Sequence, residues 1–555
     1  MSYLARERTI AAPGYSRWLI PPAALCVHLC IGQAYAFSVF NLPMTKLIGI
    51  SQSAPDDWKL TDLGWVFSIA IFFLGASAAL FGRWVEEGGP RRAMFTAALC
   101  WAGGFLISAG GVYIHNLWVV YFGYGAIGGI ALGIGYISPV STLIKWFPDR
   151  PGMATGMAIM GFGGGAFIAS PLSVFLMKEF ATPTHVGVAE TFIVMGLIYF
   201  CFMMVGAAIV RVPADGWAPE GYVAPATPRK LITTNNVFVY EALKTPQFWL
   251  IWWVLCLNVT AGIGVIGQAS AMSQEMFPGR IAAGAAAGFV GLMSLFNMGG
   301  RFFWASMSDL MGRKNTYFIF FVLGTVLYSI VPFAGGSGNI VLFVICFLII
   351  ISMYGGGFAT VPAYLRDMFG TQYVGAIHGL LLTAWSMAGI YGPVIVNYMR
   401  QYYVDHGVPK AQAYNTTMYV MAVLLVIAFV FNALVRAVEA RYHMTAEGGA
   451  ASSSGDSRIG RLAFFLIWLV IAATAGLIVS IAPPLQATAT VVLAAVLQMW
   501  VTTLRLKDSG RPAWLCVLVL IPAVNLLFLL YLFFVPGAES GAGGPTSRRT
   551  ALAAA

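Results

Sequence analysis

The segment GRWVEEGGPRR (82–92) returns in altered form as ASMSDLMGRK (305–314), and this repetition decides the fold. At one offset of 223 residues, the acidic Glu86 matches Asp309. The same offset aligns five further pairs of small, basic or imino residues: Gly89 with Gly312, Arg91 with Lys314, Gly133 with Gly356, Pro139 with Pro362, and Gly156 with Gly379. A repeat of this length indicates a duplicated chain with two halves in the same orientation.

Composition places both halves in a membrane. Of the 555 residues, 59% are hydrophobic and 9% are charged, against roughly 25% charged in a soluble domain. The apolar runs suit helices that cross a bilayer in about 20 residues, and they lack the alternation of β-barrel strands. The predicted spans are 17–42, 63–84, 93–114, 117–144, 152–177, 190–211, 247–272, 284–307, 315–335, 340–362, 374–399, 415–437, 462–482, 485–503 and 513–535.

The sequence therefore predicts an all-α membrane protein with 12 transmembrane helices in two six-helix halves, plus about three extra C-terminal transmembrane helices. The predicted domains are an N-terminal half (1–211), a cytoplasmic linker (212–246), a C-terminal half (247–440), a flexible linker (441–457), an accessory three-helix membrane domain (458–537) and a disordered tail (538–555).

Basic residues orient the chain. With the N-terminus in the cytoplasm, most loop Lys and Arg residues of the two halves fall inside, as the positive-inside rule requires. The loops on the other side hold only Lys46, Lys59, Lys178, Arg280, Arg400 and Lys410. All seven cysteines fall within apolar runs at no metal-ligand spacing, so we expect neither disulfides nor a metal or cofactor. Nucleic acid is not an expected partner, and the oligomeric state stays open.

One arginine lies inside a predicted span. Arg301 precedes Asp309 by eight residues, which places it roughly 12 Å into the membrane. Ser294 and Asn297 share its helix face, and a charge at this depth should face the bundle interior or a water-filled cavity. Its planar fork matches a carboxylate, so we predict that Arg301 and Asn297 bind a small anionic substrate. The alternative is an arginine locked to backbone carbonyls as a structural pin.

Other polar side chains at mid-helix positions are candidates for the same path: Gln33, Tyr35, Tyr136, Tyr354, Trp385 and His28. Each could instead be an ordinary packed residue with a polar tip, and His28 could be a neutral histidine satisfied by a neighbouring helix. No Asp or Glu lies in the middle third of a predicted helix of either half. That pattern favours exchange of anions, or co-transport in which the substrate carries the proton.

The repeated loops offer a second set of candidates. Glu86, Arg91, Arg92, Asp309, Arg313 and Lys314 lie at predicted cytoplasmic helix ends, where charge pairs could hold adjacent helices in one state and release them in another. We predict that they gate the path; the alternative is a solvated, positively charged loop.

The loop pattern G-x-x-x-[DE]-x-x-G-x-[KR] resembles the signature of the major facilitator superfamily. Glu86 replaces the usual Asp, and Ala305 replaces the first Gly of the second copy. KWFPDRPGMATG (145–156), KTPQFW (244–249) and GLLLTAWSMAGIYGP (379–393) are similar to segments of the oxalate/formate antiporter family. That resemblance implies carboxylate transport with a substrate-binding arginine at Arg301. Family members that carry oxalate have a lysine where this chain has Trp385, which favours a monocarboxylate such as formate, lactate or pyruvate.

Residues 458–537 resemble a small bacterial membrane-domain family of unassigned function, through Lys507, Asp508, Gly510, Arg511, Trp514 and Pro522. We expect no enzymatic activity, because the chain has no phosphate-binding loop and no paired carboxylates in its core. The predicted function is secondary transport of a small carboxylate across a bacterial cytoplasmic (inner) membrane, by exchange or proton-linked co-transport. A carboxylate sensor on a transporter fold, or a carrier of another small solute, remain the alternatives.

Overall fold

The computed structural model describes residues 3–58, 60–214, 216–222, 231–233, 235–266, 268–444, 461–481, 494–495, 497–506, 509, 511–520 and 524–534. The tail 538–555, most of the linker 441–457, and Lys507, Asp508, Gly510 and Pro522 lie outside the described residues. The chain forms two units: the first is Met1–Val239 with Leu250–Met444, and the second is Tyr240–Trp249 with Thr445–Ala555.

Among the described residues, twelve long helices lie wholly or mostly in the first unit, six in each half. Those of the N-terminal half are α1 (Arg17–Ala36), α2 (Asp62–Gly88), α3 (Pro90–Tyr113), α4 (Leu117–Trp146), α5 (Pro151–Phe180) and α6 (Val188–Ile209). Those of the C-terminal half are α7 (Pro246–Ile266), which starts in the second unit, α8 (Ala283–Met311), α9 (Arg313–Gly336), α10 (Ile340–Phe369), α11 (Val374–Asp405) and α12 (Asn415–Leu434). All except α8 meet the length and hydropathy expected of a membrane span. The predicted fold class is confirmed.

The loop repeat has a matching backbone. Gly89 precedes α3 with φ +83°, and Gly312 precedes α9 with φ +87°. Residues other than glycine rarely adopt this backbone conformation, because Cβ then crowds the backbone. Glycine is therefore needed at the same point of both halves, where the chain turns sharply from one helix into the next.

The two halves meet through two glycine-lined helix pairs that follow the same repeat. A Cβ on Gly379 of α11 would lie 2.1 Å from the Ala78 carbonyl oxygen of α2. A Cβ on Gly156 of α5 would lie 3.0 Å from the Arg301 carbonyl oxygen of α8. Small residues permit such close backbone approach between membrane helices, so the α2–α11 and α5–α8 contacts bring the halves together around the centre of the bundle.

Helix α1 changes its winding in its last five residues. Its α-helical part, Ile20–Ile31, is followed by the 3₁₀ segment Gly32–Ala36, which contains Gln33 and Tyr35. The chain passes tightly against α5 here, because a Cβ on Gly32 would lie 2.4 Å from the Phe162 carbonyl oxygen. Irregular turns of this kind often mark functional positions in helices.

Residues 3–16 lie along one end of the N-terminal half, which we call the N-side. The Ala11 N–H donates to the Val212 carbonyl at 2.9 Å, and the Tyr15 hydroxyl donates to the Ile209 carbonyl at 2.8 Å. The repeated loops lie at this same end, since Arg91 Nη1 donates to the Tyr3 carbonyl at 3.1 Å.

The second unit contains helical segments beyond the twelve. They are α13 (Arg461–Ile481), residues 497–506, a 3₁₀ helix (Ala513–Leu520) and α14 (Val524–Phe534). Its core is apolar and consists of Phe464, Val501, Leu506, Val519, Phe528, Leu529 and Leu532. Trp249, the last residue of KTPQFW, packs against this core. The residues just before α7 and its first turn therefore belong to the accessory unit.

Candidate functional site

Arg301 of α8 is fully buried at the centre of the first unit. Its Nε donates to Asn297 Oδ1 at 3.0 Å, and its Nη1 donates to the Ile159 carbonyl of α5 at 3.3 Å. Its Nη2 is buried without a hydrogen-bond partner among the described residues. The protein thus holds the guanidinium plane with two nitrogens and leaves the third, with its two N–H donors, unused.

Aromatic rings surround the guanidinium. Its carbon lies 5.7 Å from the ring centre of Phe162 on α5 and 5.4 Å from that of Phe358 on α10. The Phe162 ring also lies 5.5 Å from Tyr136 and 5.4 Å from Trp385, between centroids. Ring faces attract a cation at such distances, so the rings stabilise the guanidinium group away from water. We call Arg301 and these rings the central chamber.

The chamber contains further polar atoms that lack partners. The Tyr136 hydroxyl and Trp385 Nε1 are buried with no hydrogen bond among the described residues. Tyr35 and Tyr354 pair with each other, their hydroxyl oxygens 3.4 Å apart, and Tyr35 also lies 6.3 Å from Trp385 between ring centroids. An unsatisfied buried polar atom costs about 1–3 kcal/mol. A ligand that accepts hydrogen bonds would relieve this cost at several atoms together.

Two predicted site residues have hydrogen-bond partners within the protein. Gln33 accepts a hydrogen bond from the Tyr124 hydroxyl at 2.9 Å, while its Nε2 has no partner among the described residues. His28 has Nδ1 2.5 Å from the Ala158 carbonyl oxygen and Nε2 3.2 Å from that of Tyr136. The structure therefore places Gln33 against α4, and His28 between α4 and α5.

On the N-side, Glu86 joins the halves. It accepts hydrogen bonds from the Gly375 backbone N–H of α11 at 2.9 Å and from the Ser141 hydroxyl of α4 at 2.5 Å. Lys145 forms an ion pair with it at 2.5 Å. The acid thus caps the first turn of α11 from the opposite half, where the positive end of the helix dipole favours a negative charge.

Asp309 makes the corresponding contact from the other half. Its two carboxylate oxygens accept the backbone N–H groups of Gly152 and Met153, each at 2.9 Å, in the first turn of α5. Arg313 bonds to Asp309 at 2.5 Å and to Asp367 at 3.3 Å. Because Gly152 and Gly375 are also 223 residues apart, the two halves exchange equivalent contacts, which we call the N-side latch.

The other basic residues of the predicted gating set make contacts within their own half. Arg91 is buried and donates to the Ala207 carbonyl at 3.3 Å. Arg92 lies over the Trp84 ring at 4.8 Å. Lys314 donates to the carbonyls of Ala433 and Val435, both at 2.8 Å, at the end of α12. The structure brings only Glu86, Asp309 and Arg313 into the latch.

Sequence reasoning missed several residues of these sites, among them two rings of the chamber and a lysine of the latch. Phe162 and Phe358 form walls of the chamber, but a phenylalanine in an apolar run carries no signal that separates a chamber wall from ordinary packing. Lys145 begins the segment KWFPDRPGMATG and was counted only as a positive loop charge. Its position at the helix end that faces Glu86 could have suggested the ion pair.

Comparison with known proteins places this architecture in a family. Residues 23–393 match the Major Facilitator Superfamily. The chain is 26% identical over 379 residues to the oxalate:formate antiporter of Oxalobacter formigenes, covering 68% of this chain and 83% of that relative. It is 22% identical over 444 residues to apicoplast pyruvate carrier 1 of Toxoplasma gondii, covering 64% of this chain and 78% of that relative.

A solved structure agrees with the fold. The proton:xylose symporter XylE bound to 6-bromo-6-deoxy-D-glucose aligns with a TM-score of 0.57 at 14% identity, covering 78% of this chain and 97% of that one. The family match spans most of both six-helix halves and includes the repeated loops, the latch and the central chamber. The chain therefore belongs to the Major Facilitator Superfamily of membrane transporters.

Proposed function

We propose that this protein is a secondary transporter of a small carboxylate and that Arg301 binds the carboxylate during alternating access. The observation that carries the proposal is the unused Nη2 of a fully buried arginine. An arginine that is held by two of its nitrogens and surrounded by rings, with its third nitrogen unpaired among the described residues, is prepared to bind an anion without further ordering.

The neighbouring unsatisfied groups support an oxygen-rich ligand. Arg301 Nη2, the Tyr136 hydroxyl and Trp385 Nε1 can all donate hydrogen bonds. The ring contacts among Tyr136, Phe162 and Trp385, at 5.4–5.5 Å between centroids, bring these donors into one cluster. A carboxylate has two oxygens that accept several hydrogen bonds, so it could satisfy donors that the protein leaves unpaired.

A monocarboxylate fits the charge of the chamber better than a dianion does. Among the described residues around it, Arg301 is the one side chain that is always cationic. By the family resemblance, Trp385 stands where members that carry oxalate have a lysine. A second carboxylate of oxalate would then lie among rings without a fixed positive charge, which is costly in a desolvated site. Formate, lactate and pyruvate are the candidates, and the named relatives carry oxalate and formate, or pyruvate.

The N-side latch supports alternating access as the mechanism. Its contacts between the halves include hydrogen bonds from backbone N–H groups at helix ends, which can be exchanged for water at modest cost. The basic N-side loops support a cytoplasmic position for that side and for the N-terminus, as the positive-inside rule predicts. Coupling by anion exchange or by protons is compatible with this arrangement.

Uptake into liposomes tests the proposal. The reconstituted protein should accumulate at least one of labelled formate, lactate, pyruvate and oxalate, with and without a counter-anion inside. Arg301→Ala should abolish this uptake. Arg280→Gln is the matched control, because Arg280 lies in the loop between α7 and α8 and donates to the Gly338 carbonyl. Binding without uptake would favour a sensor, and uptake indifferent to Arg301→Ala would contradict the assigned site.

A further inference from the structure

His28 is a fully buried histidine beside the central chamber. Its ring stacks on Tyr136 with centroids 5.3 Å apart. A backbone carbonyl oxygen faces each ring nitrogen: Ala158 of α5 at Nδ1, 2.5 Å away, and Tyr136 of α4 at Nε2, 3.2 Å away. Each ring nitrogen therefore faces a hydrogen-bond acceptor.

This arrangement distinguishes the two protonation states of the ring. A neutral imidazole has one N–H donor and one bare nitrogen that is itself an acceptor. Between two carbonyls, a neutral ring satisfies one and turns its lone pair toward the oxygen of the other. The imidazolium donates to both. The acceptors around His28 thus form a binding site for a second proton.

The neighbouring helices supply a third acceptor and the space for the ring. Pro139 lies inside α4 and has no backbone N–H, so the Gly135 carbonyl lacks its usual helical donor, and it also faces the His28 ring. On α5, Gly161 allows the close approach, because a Cβ there would lie 3.0 Å from the His28 Cβ. A proline in α4 thus frees one acceptor beside His28, and a glycine in α5 leaves room for the ring.

The charged and titratable groups that face His28 include one fixed positive charge. They are Arg301 from α8, Tyr136 from α4 and His378 from α11. Glu190 is the charged residue of α6. It lies in the first turn of that helix, at the end away from His28, where it accepts a hydrogen bond from the Tyr113 hydroxyl. The positive charge of Arg301 is thus the main repulsion, and a bound anion would cancel it.

We propose that His28 is the proton-binding site that couples transport to protons, so that one proton crosses the membrane with each monocarboxylate. This inference rests on the proposed function. The proton adds to the lone pair of the bare ring nitrogen when the anion occupies Arg301, and it leaves to water after the anion is released on the other side. No bond within the substrate changes, and no net charge crosses. Anion and proton each raise the affinity for the other, because linkage is reciprocal.

Proton and pyruvate fluxes can be measured in the same liposomes, with a pH-sensitive dye inside and labelled pyruvate outside. The unaltered protein should acidify the interior by about one proton per pyruvate and should accumulate pyruvate when the interior is alkaline. His28→Gln can donate to one carbonyl but cannot carry a proton. It should keep exchange of internal for external pyruvate and lose both acidification and pH-driven accumulation.

His378→Gln is the matched control. His378 is equally buried, but neither of its ring nitrogens has a hydrogen-bond partner among the described residues. Nothing there favours a second proton, so this variant should remain proton-coupled. If His28→Gln does not fold, the unaltered protein in weakly buffered detergent should still take up a proton as it binds pyruvate.

The outcomes separate the two proposals. Failure of the unaltered protein to move any of the four carboxylates, with or without a counter-anion, would overturn the proposed function. Pyruvate uptake without proton movement, proton-coupled uptake by His28→Gln, or pyruvate binding without proton uptake would overturn the assignment of His28 and leave carboxylate transport standing.

Discussion

At the scale of single residues, the chamber shows how neutral contacts can hold a buried charge in a membrane protein. Asn297 and the Ile159 carbonyl fix the Arg301 guanidinium, and the rings of Phe162 and Phe358 lie close to it. These contacts offset part of the cost of removing the cation from water. Since none of them carries a negative charge, they leave the electrostatic demand for an anion in place.

Trp385→Lys should change the substrate preference. The Trp385 ring lies 4.4 Å from Phe358 and 5.5 Å from Tyr136 between centroids, so a lysine there would add a second cation to the chamber. We expect uptake of oxalate relative to pyruvate to rise roughly tenfold or more, as a new ion pair away from water contributes more than 1 kcal/mol. Competition between the two labelled anions in liposomes measures the ratio.

Trp385→Phe separates charge from size in that experiment. It removes the indole N–H and part of the ring but adds no charge, so it should slow transport without favouring oxalate. An equal shift toward oxalate in the phenylalanine variant, or no shift in the lysine variant, would contradict the role given to charge at this position.

Sequence alone could identify Arg301 and the polar residues on its helix face, because a charge in an apolar run is conspicuous. It could not assign hydrogen-bond partners. Gln33 and Tyr35 are two residues apart, yet the 3₁₀ segment directs Gln33 to Tyr124 on α4 and Tyr35 to Tyr354 on α10. The partners come from other helices, and only three-dimensional packing brings them together.

At the scale of helices, the N-side latch uses backbone N–H groups that every helix leaves unpaired in its first turn. Glu86 and Asp309 reach the first turns of α11 and α5 in the opposite half. Such contacts exist only while the N-side is closed, so the latch should stabilise this state over one that opens to the N-side.

Asp309→Asn should weaken the latch and open the N-side. The amide can accept only one of the two N–H groups of Gly152 and Met153, and it loses the ion pair with Arg313. A charge-assisted hydrogen bond contributes about 1.5–3 kcal/mol, so the open fraction should rise roughly tenfold or more. Positions 92 and 310 are both exposed on the N-side. The distance between spin labels at these positions, measured by electron paramagnetic resonance, should be longer in Asp309→Asn than in the unaltered protein.

Glu179→Gln provides the control for that measurement. Glu179 is exposed at the far end of α5, so its neutralisation removes one negative charge without touching the latch. A distance distribution unchanged by Asp309→Asn, or equally changed by Glu179→Gln, would exclude Asp309 as a latch.

Alanine substitutions at two adjacent glycines of α8 should affect the stability of the protein differently. A Cβ on Gly300 would lie 2.1 Å from the Ser352 carbonyl oxygen of α10, whereas a Cβ on Gly299 would meet nothing within 4 Å. Gly300→Ala should force α8 and α10 apart and cost about 1–3 kcal/mol, as overpacking does. Gly299→Ala should leave stability unchanged or slightly raised. Thermal unfolding in detergent compares them, and equal losses would refute the packing argument.

The helices themselves were largely predictable from the sequence, since each apolar run of about 20 residues has few alternatives in a membrane. The run 63–84 lies within α2, and the run 340–362 lies within the longer α10. Their ends extend further because amphipathic turns continue past the apolar run. The 3₁₀ segment of α1 and the π-helical segment Tyr121–Gly128 at the start of α4 were not predictable, because they depend on contacts with neighbouring helices.

At the scale of the whole molecule, the duplication explains why the chamber lies between equivalent halves. Every predicted substrate residue, from His28 to Trp385, belongs to the first unit. The second unit has its own apolar core and includes Trp249. A protein truncated after Met444 should therefore keep saturable carboxylate uptake that depends on Arg301. Loss of uptake in a truncated protein that still unfolds cooperatively would show that the accessory unit takes part in transport.

The most direct test of the central claim is the affinity of the purified protein for pyruvate, lactate and formate, measured by titration calorimetry with three forms of residue 301. We predict that the monocarboxylate bound best loses roughly 10- to 100-fold in affinity with Arg301→Gln. Arg301→Lys should lose less, because it keeps the charge without the planar fork, and Arg280→Gln should bind as the unaltered protein does. Equal affinities in all four proteins would contradict the assignment of Arg301 as the carboxylate-binding residue.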